Sequence, residues 1–272
     1  MDYINFSCFK IDTNQGGARM VKQFEGKVVL VTGGSSGIGR ATALAFGREG
    51  ARVVVASRRI EVLEETVKAI KGVGGEAGVI KADMTEAAEV EAMVKKVVER
   101  YGRLDIAFNN AGIGGRAVPL AEQTVEEFDQ IMTTNLRGVF LCMKYEIPQM
   151  LKQGGGVIVN CGSAAGVRAT PSAGIPYCTS KHGLMGLTKT AALEYARQGI
   201  RINLVGYGPI LTEGLDQYFS VNPHAVEPVR QMVPAARVGK TEEAAAAVLW
   251  LSSEASAFVY GQALLVDGGI TA

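Results

Sequence analysis

Tyr177 stands four residues before Lys181 in the run IPYCTSKHGL, 175–184, with Pro176 in front and Gly183 behind. On a helix, residues four apart share a face, so a phenol and an ammonium would lie one turn from each other. A free phenol titrates near ~10 and makes a poor base at neutral pH. A positive charge beside it favours the phenolate, and such a pair can exchange a proton with an oxygen on which charge develops. The spacing alone is equally that of a surface pair, so the surroundings decide. His182 has a catalytic residue type, but Tyr177 already fills the acid/base role and His182 reads as structural. Cys161 and Cys178 flank the pair as small core residues, since nothing nearby lowers a thiol specifically.

A second constellation lies near the start. VTGGSSGIG places Gly33, Gly37 and Gly39 between an apolar run and a helical pattern. Glycines there allow a sharp turn, bring the backbone of Ser35, Ser36 and Ile38 close to a pyrophosphate, and pack the helix on the strand. The helix N-terminus adds partial positive charge. The next strand ends in Ser57, Arg58 and Arg59, without the carboxylate that would bind a ribose 2′-hydroxyl. Two guanidiniums suit a 2′-phosphate, which favours NADP(H) over NAD(H). The alternative is that these arginines simply begin a solvated helix. Asp83, followed by Met84, closes the third strand and either accepts from an adenine amino group or caps the helix that follows.

The elements that would position these residues alternate along the chain. Strands are expected at 27–34, 51–57, 77–83, 104–112, 155–163, 201–208 and 263–269. Helical patterns cover 37–50, 59–75, 86–102, 124–153 and 177–198. The strand runs are apolar without alternation, as in a parallel sheet covered on both faces. Repeated β-α-β units imply a doubly wound α/β fold. We expect one Rossmann-type domain over 21–272, with about seven strands. The proline-bearing stretch 208–239 is the least regular, and a substrate loop is placed near 207–235. Residues 1–20 read as a poorly ordered N-terminal extension, lacking the basic start and apolar stretch of a signal peptide.

Composition narrows the class. Of 272 residues, 47% are hydrophobic and 20% charged, and the net charge is +1, which fits a globular chain and offers no electrostatic case for nucleic acid or anionic membrane. No apolar run approaches a membrane span. Four cysteines without C-x-x-C spacing make a disulfide framework or metal site unexpected and a reducing, cytoplasmic setting the default. The 34 glycines, against a usual ~7%, cluster after apolar runs, as tight strand-to-helix turns require.

Taken together, the chain from about Lys22 to Ala272 resembles the short-chain dehydrogenase/reductase family. The motifs that carry the likeness are TGGSSGIG, NNAG at 109–112, Asn135 in TNLRGVF, Ser163 in NCGSAAG, Tyr177 and Lys181 in YCTSK, and the ending GQALLVDGG. The resemblance implies a nucleotide-binding domain, hydride transfer between nicotinamide and a carbonyl or alcohol, and a homotetramer. It also implies an Asn-Ser-Tyr-Lys catalytic group. Tyr177 would be the general acid/base, Ser163 the donor that polarises the substrate oxygen, Lys181 the charge that favours phenolate and holds the nicotinamide ribose, and Asn135 the anchor of a proton-relay water. Asn110, Ala111 and Gly112 would bring backbone to the cofactor, with Gly208, Ile210 and Thr212 beside the nicotinamide.

Two departures stand out. Tyr207 occupies the place of the family's usual proline in GYGP, although Thr212 keeps the usual threonine position. The Ser163–Tyr177 separation is one residue longer than the commonest form, in a segment overhanging the substrate pocket. That pocket is expected from 113–116, 164–175 and 207–235, with Arg116, Arg168 and His224 as possible polar handles. The leading expectation is an NADP(H)-dependent reductase of a small carbonyl compound, reversible on a secondary alcohol. Alternatives are an NAD(H)-dependent alcohol or sugar dehydrogenase, an enoyl reductase (whose family pattern spaces tyrosine and lysine more widely), and a non-catalytic nucleotide-binding regulator.

Overall fold

Val28–Thr32 forms β1, a β-branched run buried at every position, and its two faces feed separate cores. Val28 and Leu30 pack toward one layer of helices, Val29 and Val31 toward the other. The computed structural model describes residues 11–12, 19–20 and 22–272. The strands that follow are β2 (Arg52–Ser57), β3 (Glu76–Lys81), β4 (Ile106–Asn109), β5 (Gly156–Cys161), β6 (Ile200–Tyr207) and β7 (Ala263–Val266). They form one seven-stranded sheet in the order β7-β6-β5-β4-β1-β2-β3, and every pairing is parallel.

One layer of helices comprises α1 (Gly37–Arg48), α2 (Ile60–Gly72) and α9 (Thr241–Ser252). The other comprises α3 (Ala87–Tyr101), α5 (Gly138–Lys152) and α6 (Ile175–Tyr195), with α4 (Val125–Met132) leading into α5. This is the doubly wound architecture the apolar runs predict. The chain moves outward from β1 to β3, then returns to β4 on the other side of β1. The crevice at that reversal, beyond the carboxyl ends of β1 and β4, is where such sheets bind ligands.

Three local departures matter. The helical stretch expected over 124–153 is interrupted by a π turn at Thr133–Arg137, and Asn135 sits on it. The stretch expected to be irregular carries two helices, α7 (Glu213–Val221) and α8 (Val226–Gln231). Its prolines are compatible with that: Pro223 opens a 3-10 turn and Pro228 lies in the first turn of α8, where a missing N–H costs nothing. Of residues 1–20, expected as a poorly ordered extension, 11–12 and 19–20 are described, and Ile11–Asp12 pairs antiparallel with Arg19–Met20. The other residues of 1–21 lie outside the described residues. Among the described residues, no helix is long and apolar enough to cross a membrane.

Candidate active site

The turn after β1 is built by exclusion of side chains. Gly33 and Gly37 have φ of +65° and +53°, the left-handed region that glycine enters without steric cost. A β-carbon on Gly39 would stand 2.3 Å from the Gly33 carbonyl oxygen and 2.5 Å from Asn110 Nδ2. Asn110 explains the closeness: its Nδ2 donates to the carbonyls of Thr32 at 3.1 Å and Gly33 at 3.2 Å. The Asn110 and Ala111 backbone N–H groups donate to Thr32 Oγ1. NNAG therefore buttresses the glycine turn, and this support role was not read from its sequence. Ser35 is buried and Ser36 is extended before the helix starts.

The N-terminus of α1 accepts an anion in this structure. Gly37 N–H donates to Glu213 Oε2 at 2.6 Å, across 176 residues of sequence. The oxygen of that carboxylate stands in for an oxygen of a phosphate. The turn thus fits the pyrophosphate of a dinucleotide on two counts, the room left by its glycines and an N–H that already receives negative charge.

Toward the adenosine end, β2 finishes at Ser57, whose hydroxyl accepts from Arg59 N–H. Arg58 Nη1 lies 3.9 Å from Asp83 Oδ2, with the arginine side chain 71% exposed and the aspartate 28%. Asp83 Oδ1 accepts from both Thr85 N–H and Thr85 Oγ1, so the carboxylate secures the turn leading into α3, and its second oxygen faces Arg58. The Met84 side chain is buried in the core against Cys142.

On α6, Gly174 adopts φ +82° and Pro176 occupies the first turn, where its fixed φ suits helix initiation. The Lys181 Nζ lies 5.5 Å from the centre of the half-buried Tyr177 ring and donates to the Cys161 carbonyl, at the end of β5, at 2.8 Å. Lys181 is only 5% exposed. Burial pushes the Cys161 thiol up, partly offset by the Lys181 charge. Ser163 follows β5 and caps a 3-10 turn, its Oγ accepting from Ala165 N–H at 3.1 Å.

Asn135 is 1% exposed. Its Oδ1 accepts from Ile113 N–H at 2.8 Å and its Nδ2 donates to the Ile113 carbonyl at 2.9 Å, with Ser180 Oγ at 3.4 Å. The side chain is thus committed to the loop after β4 and is not directed at Lys181. His182 is exposed, with Nδ1 2.9 Å from the Cys178 carbonyl, in keeping with a structural role.

A cavity of about 400 Å³ opens beside Ser163, walled by Ala165, Arg168, Pro171, Tyr207, Met232 and others. Tyr177 is not part of its wall, nor is the 113–116 segment. Of the three polar handles, only Arg168 borders the cavity, and its Nη1 donates to the Ile270 carbonyl at 2.8 Å. Arg116 is paired with Glu127 at 2.7 Å, and His224 lies on the 3-10 turn before α8. Tyr207 ends β6 with its hydroxyl donating to the Ala244 carbonyl on α9. Burial holds that phenol well above its ordinary pKa. In place of a proline ring, the position carries a neutral side chain anchored to a helix.

A carboxylate behind the site escaped sequence reasoning. Glu146 on α5 is fully buried, and its Oε2 accepts from Asn109 Nδ2 at 3.1 Å. Asn109 also donates to Asn160, which donates to Thr188 on α6. Burial raises the Glu146 carboxyl to about 7, with the Asn109 bond opposing. The signal was available: Glu146 shares the inner helical face with Met143, Ile147 and Met150.

Comparison with known proteins agrees with this geometry. Residues 33–271 match a family model described as enoyl-(acyl carrier protein) reductase. The A-factor type γ-butyrolactone 1′-reductase (1S-forming) of Streptomyces virginiae is 44% identical over 246 residues, covering 90% of this chain and 95% of that protein. The crystal structure of levodione reductase superposes with a TM-score of 0.87 at 38% identity, covering 91% of this chain and 98% of that one. A variant of actinorhodin polyketide ketoreductase with NADPH gives a TM-score of 0.85 at 38% identity, over 90% and 97% of the two chains.

Proposed function

The chain belongs to the short-chain dehydrogenase/reductase family, and from that premise we propose that it is an NADP(H)-dependent reductase of small uncharged carbonyl compounds, reversible on secondary alcohols. The observation that carries the chemistry is the Lys181 ammonium beside the Tyr177 ring, one strand end away from Ser163 on the cavity wall. When bound, the nicotinamide supplies or accepts the hydride.

The chain's own residues do the rest. Gly33, Ser35, Ser36, Gly37, Ile38 and Gly39 cradle the pyrophosphate, while Arg58 and Arg59 meet the 2′-phosphate. Asn110, Ala111 and Gly112 support the turn, and Gly208, Ile210 and Thr212 border the nicotinamide end. Tyr177 gives its hydroxyl proton to the oxygen that becomes alkoxide, and Ser163 donates to the same oxygen. Lys181 stabilises the phenolate left behind. Because the Asn135 amide is spent on Ile113, its main-chain carbonyl on the π turn is the group that holds a relay water.

The cavity beside Ser163 is mostly apolar, and its one guanidinium is tied to the Ile270 carbonyl, which favours a neutral substrate. The γ-butyrolactone and levodione of the relatives' names set the scale of molecule to try first. The test is nicotinamide absorbance during incubation with a ketone panel that includes a 2-enoyl thioester. Turnover of ketones with NADPH, lost by about 10²-fold or more in Tyr177→Phe, is the expected result. Turnover that survives this change would sink the acid/base assignment. Reduction of the enoyl thioester alone would favour the activity in the family model's description, against which the one-turn Tyr177–Lys181 separation stands. The same reading makes the working form a homotetramer, and a stable monomer by light scattering would remove that part.

A further inference from the structure

The segment from 211 to 232 contains no buried residue, although Ile210 at one end and Val233 at the other are buried. Within it, neither α7 nor α8 contributes a residue to the core. The base is fixed, since Ile210–Leu211 pairs with Gly239–Lys240. At the far end, Ala236 has φ +56°, the only non-glycine residue with positive φ among those described. A rigid base, a segment without a fully buried residue and a strained residue at the exit describe a lid with hinges.

A charged contact docks this lid on the glycine turn. Glu213, the first residue of α7, places Oε2 2.6 Å from Gly37 N–H. Thr212 lies alongside, so that a β-carbon on Gly37 would stand 3.0 Å from its Cγ2. The lid is acidic, carrying Glu213, Asp216 and Glu227 against Arg230.

On the reading of this turn as the pyrophosphate cradle, we infer that Glu213 is a latch that competes with the cofactor for the Gly37 N–H. The helix dipole and N–H favour one anionic oxygen at this point. A carboxylate and a phosphate there repel each other, so dinucleotide entry requires Glu213 to let go and α7 to swing from the turn. Binding of the cofactor and opening of the substrate lid are thereby one event.

The experiment measures NADPH affinity directly, by nicotinamide fluorescence or calorimetry, for the wild-type chain, Glu213→Gln and Glu213→Ala. Adenosine 2′-monophosphate, which reaches the arginines but has no 5′-phosphate to enter the glycine turn, is the control ligand. Both variants are expected to bind NADPH roughly three- to tenfold more tightly, with the control ligand unchanged. Amide hydrogen exchange in 213–221, without added dinucleotide, is expected to be faster in the variants. Equal or weaker NADPH binding by the variants overturns the latch while leaving the proposed function standing. Absence of dinucleotide binding by the wild-type chain overturns both. Tightening of the control ligand to the same degree shows a general charge effect and also overturns the latch.

Discussion

Asn135 and Ile113 exchange hydrogen bonds in both directions, the amide oxygen accepting at 2.8 Å and the amide nitrogen donating at 2.9 Å. This buried pair ties the π turn between α4 and α5 to the loop after β4. Asn135→Asp keeps the size but replaces the Nδ2 donor with oxygen, leaving the Ile113 carbonyl unpaired. A loss of about 1–3 kcal/mol is expected, read by chemical denaturation. Activity should fall with it, because Gly112 packs against the same amide: a β-carbon there would stand 3.2 Å from Asn135 Oδ1. A variant as stable as the wild type would show that the exchange contributes nothing.

The proposed preference for NADP(H) turns on Arg58. Its side chain is exposed, with Nη1 3.9 Å from Asp83 Oδ2, so it can reorganise toward a phosphate. Arg58→Asp should lower kcat/KM for NADPH by about 10- to 100-fold, the worth of a charge-assisted contact, and leave NADH nearly untouched. Steady-state kinetics with both cofactors decide it. A wild-type chain that prefers NADH would refute the expectation at once.

Space at the glycine turn makes a sharper prediction. Gly39→Ala drives a methyl to 2.3 Å from a carbonyl oxygen held by Asn110. The turn must shift, with a cost of about 1–3 kcal/mol and weaker dinucleotide binding. Gly72→Ala, at the end of α2 with nothing within 4 Å, should instead stabilise by about 0.4–1 kcal/mol through the unfolded chain. Melting temperatures of the two variants should move in opposite directions.

Glu146 predicts a pH dependence with a defined sign. Its carboxyl is raised from 4.5 to about 7 in the folded chain. Below about pH 4.5 it is neutral in both states and its contribution is fully present; as pH rises toward and through 7, the folded state resists ionisation and that contribution is lost. The difference is on the order of 3 kcal/mol. Glu146→Gln retains an acceptor for Asn109 and cannot ionise, so relative to wild type it should gain stability between pH 5 and 8. A stability difference between the two proteins that stays flat across that range would contradict the assignment.

Much of the fold was legible because its signals are local. The β-branched runs of β1 and β2 and the helical period of α2 and α3 can be read without knowing their partners. Strand ends were overextended where an apolar run continues into a turn, as at 104–112, of which only Ile106–Asn109 is strand. The proline count between 208 and 239 concealed α7 and α8, because a proline in a first turn breaks nothing. Tyr177, Lys181, Ser163 and Asn135 were legible as motif residues, and the structure brings Lys181 to Tyr177. The commitment of Asn135 to Ile113 was not legible, since both the π turn and the loop must be in place. Glu213 was invisible for the same reason, its contact with Gly37 spanning 176 residues. Glu146 could have been found from its place on an apolar helical face.

A segment without a fully buried residue carries a small share of the fold's free energy. Substitutions at the exposed positions between 211 and 232 are therefore inexpensive for folding, whatever they do to binding. This part of the chain is open to drift and to directed selection, and a library confined to it would vary ligand preference on a frame that keeps its melting temperature.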